Sequence, residues 1–452
     1  MKPNLEKATQ KKYFIKIYGC QMNVYDGNRL RSALDDRGWS ETQSEDEADC
    51  IVVVTCSIRD KAEHKVISEL GRFRSSWERN ARPRVALLGC MAQRIGAEIA
   101  DKYPWVRVVA GPRHLGSVPN SIDASMAGDE RYLHLDEDPN EIDDLSCIPS
   151  TRSNGHKAYV TIAHGCDQFC SYCIVPHVRG RFGSRNPDDI LREIELLAGR
   201  GVFEITLLGQ NVNSYGKDFS DPGRDYRFPS LLRDVAAIAG IERLRFVTSH
   251  PVDFGDDLIE AMAGLPAICP SLNLPVQAGS DRVLQEMNRK YTRAEYIEKI
   301  GRFRAALPGA GLTTDLIVGF PGETEADFAE SVSLLEEIRF DLVHSAAYSP
   351  REGTPAAARA DQIPGNERAR RLNLVNELQK KISLEINETL VGQTFEIVLD
   401  EAAARGPGLL QGRTATDKVV LVPASEREIG TIGTARITGA SPWCLEGELV
   451  SG

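Results

Sequence analysis

The sequence predicts an α/β protein in three parts: an N-terminal α/β domain with a parallel sheet at 1–145, a central partial (β/α) barrel at 152–388, and a small C-terminal β-barrel at 389–452. In the first third, short β-branched runs alternate with amphipathic stretches, which implies a parallel sheet covered by helices. From His156 the alternation resumes and yields about six βα units, enough for a partial or full parallel barrel. After Val391 the pattern changes to short alternating runs broken by Gly and Pro, as in a small β-barrel.

In the first part, Tyr13–Tyr18, Ile51–Val54, Arg84–Leu88 and Val106–Val109 read as buried strands, with helices at Asp26–Arg37 and Asp60–Ser75 between them. Residues 113–155 carry scattered Gly and Pro, an acidic run and little periodicity, and are expected to form a surface linker. In the second part the strands are Tyr159–Ala163, Glu204–Leu208, Leu244–Thr248, Ser271–Val276, Leu312–Val318 and Leu342–Tyr348. Asn186-Pro187-Asp-Asp is a helix start, with Asn186 as cap, Pro187 in the first turn and acids at the positive helix end. Gln362–Leu390 is a helix with Leu372, Val375, Leu378 and Ile382 on one face and basic residues on the other. The barrel strands are Thr394–Leu399, Lys418–Val422 and Thr434–Ile437.

Composition narrows the function. The 452 residues are 42% hydrophobic and 26% charged, the balance of an ordinary globular protein with two or three domains. Runs such as Ile51–Val54 and Val85–Leu88 are too short to cross a bilayer, and the first residues lack the apolar core of a secretory signal. A cytosolic protein without a membrane segment is therefore expected, and a chain of this size with its own core is expected to act as a monomer. The net charge of −11 argues against a general nucleic-acid binder but leaves room for local basic patches.

Ten cysteines in a reducing compartment should be thiols or metal ligands. Cys166, Cys170 and Cys173 form a C-x3-C-x2-C loop, three thiolates where a closed tetrahedral site needs four. An open fourth position suits a catalytic iron–sulfur cluster; a structural zinc site with a distant fourth ligand is the alternative. The loop follows the first strand of the βα array and so faces the end where such barrels keep active sites. A second constellation is Cys20, Cys56 and Cys90, each directly after a predicted strand and two of them after glycine. Parallel strands would bring all three to one carboxyl edge, where α/β sheets bind ligands; three buried structural cysteines are the bland reading. Cys50, Cys147, Cys269 and Cys444 share no spacing and are expected to be structural.

These residues resemble the radical-SAM methylthiotransferases over essentially the whole chain. The phrases that carry the likeness are Tyr18-Gly-Cys-Gln-Met-Asn23, Thr55-Cys-Ser-Ile-Arg-Asp-Lys61, Leu274-Pro-Val-Gln-Ala-Gly-Ser-Asp281 and Asp315-Leu-Ile-Val-Gly-Phe-Pro-Gly-Glu-Thr324, beside the C-x3-C-x2-C loop with aromatic Tyr172. They are most similar to members acting on N(6)-dimethylallyladenosine beside the tRNA anticodon. Members acting on threonylcarbamoyl-adenosine or a ribosomal protein usually differ after the first two auxiliary cysteines. Two departures stand out: His164, where an acid is common, and Asp167, where Asn is usual.

The resemblance implies two [4Fe-4S] clusters, one on Cys166, Cys170 and Cys173 that binds and cleaves S-adenosylmethionine (SAM), and an auxiliary one on Cys20, Cys56 and Cys90 that carries the sulfur. The implied reaction puts a methylthio group on carbon 2 of the adenine. SAM would meet Gln210, Asn211, Gln277 and Asp315 at strand ends, each of which could instead be a loop-capping side chain. The resemblance also implies a tRNA substrate, a flavodoxin- or ferredoxin-like electron donor, a sulfur or iron–sulfur delivery protein, and a TRAM-like C-terminal barrel. Arg179, Arg181 and Arg185, which follow the cluster loop, and Arg413 in a Gly412-Arg-Thr414 turn are the candidate RNA contacts. Arg368, Arg370, Arg371, Lys380 and Lys381 read as a solvated helix face. Residues 391–452 carry five Lys/Arg against eight Asp/Glu, unusual for an electrostatic RNA grip. Two other functions remain: the same chemistry on threonylcarbamoyl-adenosine or a ribosomal protein, and a non-catalytic metal-bearing RNA-binding protein.

Overall fold

The computed structural model describes residues 10–57, 60–135, 155–220, 225–404 and 406–450. The chain divides into two compact units, the first of residues 1–153, 159–167 and 174–197, the second of residues 154–158, 168–173 and 198–452.

The first unit runs β1 (Lys12–Ile17), α1 (Gln21–Asp35), β2 (Ser40–Glu41), β3 (Cys50–Thr55), α2 (Asp60–Arg72), α3 (Arg74–Asn80), β4 (Arg84–Gly89), α4 (Cys90–Lys102), β5 (Val106–Ala110), α5 (Val118–Ala127) and β6 (Tyr132–His134). The strands form one sheet in the order β2-β1-β3-β4-β5-β6, every neighbouring pair parallel. All six residues of β3 are buried. Its side chains alternate between faces: Val52 and Val54 pack with Leu30 and Leu34, while Ile51 and Val53 pack with Leu70, Met91 and Trp105. Burial on both faces is why β3 is an apolar run from Cys50 to Val54.

Two expectations need correction here. The helix predicted at Asp60–Ser75 breaks at Phe73, whose ring turns into the core between α2 and α3. The stretch from 113 is no linker as far as residue 135: α5 buries Val118 and Ile122, with Met126 against the same core, and β6 adds a strand parallel to β5. Those three apolar side chains recur every four residues and define a helix face, which the surrounding Ser, Pro and Gly disguise. The acidic run and Cys147 lie outside the described residues.

The chain passes between the units along β7 (Lys157–Thr161). The first unit then adds β8 (Ala163–His164), α6 (Val175–Arg179), β9 (Gly183–Ser184) and α7 (Pro187–Ala198), with β8 and β9 antiparallel. As the sequence predicts, Asn186 caps α7: its Oδ1 accepts the Asp188 N–H at 2.9 Å.

The second unit continues with β10 (Glu204–Leu208), α8 (Phe228–Ala236), β11 (Arg243–Phe246), α9 (Asp256–Gly264), β12 (Ser271–Asn273), α10 (Asp281–Glu286), α11 (Arg293–Ala306), β13 (Gly311–Val318), α12 (Glu325–Ile338), β14 (Leu342–Ala347) and α13 (Gly365–Glu388). Here β10 pairs β11, and β12-β13-β14 form a second parallel set. Single bridges at Leu244–Ile268 and Gln277–Leu316 continue the pairing beyond the named strands. The predicted strand at Ser271–Val276 stops at Asn273 before Pro275, which has no N–H to donate. Thr324 and Asp327 form a capping box at the start of α12. On α13 the buried face includes Val375 and Ile382 but also Arg371, so Arg371 does not belong to the solvated face expected of it. Its guanidinium lies 3.0 Å from Glu323 and 2.7 Å from Glu367.

The C-terminal strands β15 (Thr394–Ala402), β16 (Leu409–Thr414), β17 (Val419–Pro423), β18 (Ile432–Ala440) and β19 (Leu445–Leu449) close a barrel in the order β15-β16-β17-β19-β18. Arg413 lies within β16 rather than in a turn, and the reversal comes after it, where the Thr414 N–H reaches the Lys418 carbonyl. The barrel is tied to β10 and β11 through buried cations. Arg243 donates to the Arg413 carbonyl at 3.0 Å, and Arg245 donates to the Thr414 carbonyl at 2.8 Å and to Glu204 at 3.1 Å. No helix among the described residues is long and apolar enough to cross a membrane.

Candidate functional site

Cys20, Cys56 and Cys90 follow β1, β3 and β4, which are adjacent in the sheet, so all three thiols emerge at one carboxyl edge. The glycines before two of them are dictated by space. Gly19 has φ +124°, and a Cβ there would sit 2.5 Å from the Cys56 Cβ; Gly89 has φ +96°, and a Cβ there would sit 2.4 Å from the Thr55 carbonyl oxygen. Only glycine takes such backbone angles at such close approach without strain. The same packing brings Cys20 and Cys56 into hydrogen-bond contact. That bond, Arg179 and the N–H groups of Asn23 and Met22 outweigh burial and lower the Cys20 thiol to about 5. Burial dominates at Cys90 and raises its thiol, although Arg179 pulls the other way.

Arg179, at the end of α6, is buried with Nε 3.2 Å from the Cys90 Sγ, Nη2 3.3 Å from the Asn23 Oδ1, and Asp26 at 3.8 Å. Ile174 and Val178 of the same segment pack on Cys90. Arg185 is also buried, held by Glu193 at 2.8 Å, the Thr161 carbonyl at 2.6 Å and the Tyr25 hydroxyl at 3.0 Å. Two of the sequence-predicted RNA contacts are thereby corrected: Arg179 and Arg185 face inward, because their partners are buried carboxylates, a thiol and a carbonyl. Arg181 is exposed, in a two-pronged pair with Asp167 at 2.7 and 3.1 Å. Asp167 also accepts the Phe182 N–H at 3.0 Å, a role for the acid that departs from the family pattern. His164, the other departure, is held neutral by burial and then by Arg179, Arg29, Arg185 and Arg113 around it.

The C-x3-C-x2-C loop starts in the first unit and ends in the second. Within the first, the Cys166 N–H bonds to the Gly180 carbonyl at 3.3 Å, and Gly165, at φ +68°, lets the 180–181 backbone approach. Within the second, the Cys173 N–H bonds to the Cys170 carbonyl at 2.9 Å. Asn288 donates to the carbonyls of Gln168 and Phe169 at 3.2 and 2.9 Å. Arg289, buried, donates to the Cys170 Sγ at 3.5 Å, the Tyr291 hydroxyl at 2.9 Å and the Pro275 carbonyl at 2.8 Å.

The predicted SAM contacts divide. Asn211 donates to Ser214 at 2.8 Å and to Asp253 at 2.6 Å, and Asp253 also accepts from Ser214 and from Gln168 of the cluster loop. Sequence reasoning missed Asp253, Asn288 and Arg289; the first follows the β11 strand in His250-Pro-Val-Asp253, where a strand-end acid was the available signal. Gln277 has φ +72°, and its N–H bonds to the Asp315 carbonyl. Burial raises the Asp315 carboxyl, and Asn273 donates to it at 3.2 Å. Three buried polar atoms, Asn211 Oδ1, Ser249 Oγ and His250 Nε2, have no hydrogen-bond partner and follow the carboxyl ends of β10 and β11. Buried polar groups are normally satisfied, so this strand-end region has donors and an acceptor left for a ligand.

Among the described residues no three His, Cys, Asp or Glu side chains are arranged to hold a single metal ion. A cubane cluster binds each thiolate to a different iron and needs a wider frame, and the described cysteines are all free thiols. All-thiolate donor sets, each with a buried guanidinium beside one sulfur, fit an anionic iron–sulfur cluster.

A strand-end trio of thiols, a βα array opening on a C-x3-C-x2-C loop, and a closed five-stranded barrel define an iron–sulfur enzyme with a radical-SAM core. The Radical SAM superfamily matches residues 160–335, Uncharacterized protein family UPF0004 matches 12–111, and the TRAM domain matches 388–450. The tRNA-2-methylthio-N(6)-dimethylallyladenosine synthase of Moorella thermoacetica is 41% identical over 98% of this chain and 99% of its own. Those of Aquifex aeolicus and Geobacter metallireducens are 42% and 45% identical, over 97% of this chain and 99% and 98% of theirs. The chain belongs to the family of tRNA-2-methylthio-N(6)-dimethylallyladenosine synthases. Its fold is shared with the radical SAM methyltransferase TsrM of Kitasatospora setae, at a TM-score of 0.53 and 14% identity over 88% of this chain and 80% of that one. Membership in the radical SAM superfamily implies SAM and a [4Fe-4S] cluster as cofactors.

Proposed function

We propose that this chain methylthiolates carbon 2 of N(6)-dimethylallyladenosine next to the anticodon of tRNA, with SAM as methyl donor and radical source. The observation that carries the reading is likeness along the whole length to synthases named for that product, at 41–45% identity. In this reading the chain has three working parts: 1–145 for the auxiliary cluster, 152–388 for the radical-SAM core and 389–452 for a TRAM-like RNA-binding barrel. Cys166, Cys170 and Cys173 hold one [4Fe-4S] cluster, and Cys20, Cys56 and Cys90 hold a second. When bound, the clusters and SAM supply the electron transfer, the radical and the sulfur.

The chain's own residues bind, orient and exclude water. Asn288 pins two carbonyls of the cluster loop, and Arg289 fixes Cys170 from behind. Asp253 couples that loop to Asn211, one of the SAM contacts in this reading with Gln210, Gln277 and Asp315. Asn211 is buried, which keeps competing water from its side of a site that must protect a radical. With Arg179 and Arg185 buried, Arg181 is the tRNA phosphate contact of this reading and Arg413 its specific RNA contact on the barrel. The reading includes a flavodoxin- or ferredoxin-like electron donor, a sulfur or iron–sulfur delivery protein, a cytoplasmic location and action as a monomer.

Mass spectrometry of tRNA nucleosides from cells with and without the gene tests it. Loss of 2-methylthio-dimethylallyladenosine with accumulation of its precursor is the expected result. An unchanged nucleoside profile overturns the tRNA assignment.

A further inference from the structure

Arg179 and Arg185 are both buried in the first unit but are held differently. Arg185 is matched by Glu193 at 2.8 Å, whereas Arg179 meets Asp26 only at 3.8 Å and points its Nε at a thiol. A buried guanidinium without a close carboxylate is costly unless another anion faces it. The groups on hand are the thiols of Cys90 and, through charge, Cys20.

We infer that Arg179 is a positioning residue of the auxiliary cluster: its guanidinium donates to the Cys90 thiolate and, by its fixed positive charge, makes that cluster easier to reduce. The inference rests on the reading of Cys20, Cys56 and Cys90 as cluster ligands. Geometry supports it from two sides. Arg179 is the last residue of α6, a segment whose Ile174 and Val178 pack on Cys90, so backbone and side chain are fixed together. Its second nitrogen bonds to Asn23, one turn into the helix that starts beside Cys20. The fork therefore spans two of the three strand ends, which a lysine could not do with a single point charge. The cluster thiolates carry negative charge that grows on reduction, and a cation beside one of them in a dry site stabilises the reduced form more than the oxidised one. Arg289 stands in the same relation to Cys170 in the second unit and serves as an internal control.

The test uses the full-length chain with Cys166, Cys170 and Cys173 replaced by serine, so that only the auxiliary cluster can be reconstituted. Iron and sulfide content and a redox titration followed by electron paramagnetic resonance are read in this parent and in R179Q, R179K and R289Q versions of it. In R179Q the ratio of reduced to oxidised cluster at fixed potential should fall about tenfold, a shift of about 59 mV for a one-electron couple. R179K should shift less, and R289Q should leave the potential unmoved. Loss of iron from a folded R179Q chain also supports the role. A potential in R179Q equal to that of the parent overturns it, as does an equal shift in R289Q. If the parent binds no iron, the ligand assignment itself has failed and takes the inference with it. Should R179Q not fold, R179Q/D26N, which removes both members of the loose pair, carries the same readout.

Discussion

Arg185→Ala separates two roles for the basic segment after the cluster loop. From sequence, Arg185 is an RNA contact; in the structure it is 8% exposed and closes a network of Glu193, Tyr25 and the Thr161 carbonyl. Removing it takes the guanidinium away from Glu193, itself 1% exposed and also bonded by the Tyr25 hydroxyl at 3.0 and 3.1 Å, and leaves the Thr161 carbonyl without that bond. Breaking a buried pair from one side costs about 3–5 kcal/mol. At about 2–4 °C per kcal/mol for a cooperative unit of this size, the melting temperature should fall by on the order of 10 °C. Near-UV circular dichroism of the full chain, heated without tRNA, reads this directly. Replacing both partners, R185M/E193L, should recover most of the loss, since the burial penalty of both charges disappears with them. An R185A chain that melts within about 2 °C of the wild type but binds tRNA more weakly would refute the reasoning and return Arg185 to the RNA surface.

Arg181→Ala should behave in the opposite way, with an unchanged melting temperature and a slope of log binding constant against log salt that falls by about one, measured by tRNA filter binding at several salt concentrations. Gly89→Ala forces a Cβ to 2.4 Å from the Thr55 oxygen, so it should cost at least about 2 kcal/mol in denaturant unfolding and displace Cys90, halving reconstituted iron if both clusters are present. His250 is held neutral by burial first and by Arg289, Lys290 and Lys217 next, against Asp253, with its folded pKa near 3 and its ordinary value 6.5. The stability it contributes is complete above 6.5 and is lost as pH falls from there to about 3, by up to about 1.4 kcal/mol per unit. H250N, which keeps an acceptor for the Val252 N–H, should flatten an acid unfolding curve in that window. Asn288→Ala should leave the fold intact and lower iron retention during gel filtration, because two loop carbonyls lose their shared donor.

The fold was readable where pattern and burial coincide. β3, β4 and β5 are buried almost throughout, so their sequences are nearly continuous apolar runs, broken only by the partly buried Arg84 and Arg107. The helix α5 was hidden because its buried face needs only Val118, Ile122 and Met126, while the rest of the segment has loop composition. The early end of β12 was written locally in Pro275, and the strand identity of Arg413 rests on its pairing with Val398 on one side and Val419 on the other.

The same distinction runs through the site. The cysteines were legible because each comes at the end of a strand, two of them after a glycine, and parallel topology does the rest: three adjacent strands must deliver their ends to one edge. The arginines were not, because a guanidinium declares itself only through its partner. Arg179 meets Cys90 across 89 positions, and Arg185 meets Tyr25 across 160. Their basic spacing, Arg179-Gly-Arg-Phe-Gly-Ser-Arg185, looks like a phosphate grip whichever way the side chains turn. Burial decides, and it follows from the cysteines themselves: thiolates gathered at a dry sheet edge demand cations, and the segment immediately after the cluster loop is the basic stretch that α6 carries to Cys90. The acidic barrel fits this economy of charge, since Lys418 is held by Asn387 and Asp341. A tRNA held by such a chain must be recognised largely by shape and by a few exposed cations such as Arg181, and its affinity should depend only modestly on salt.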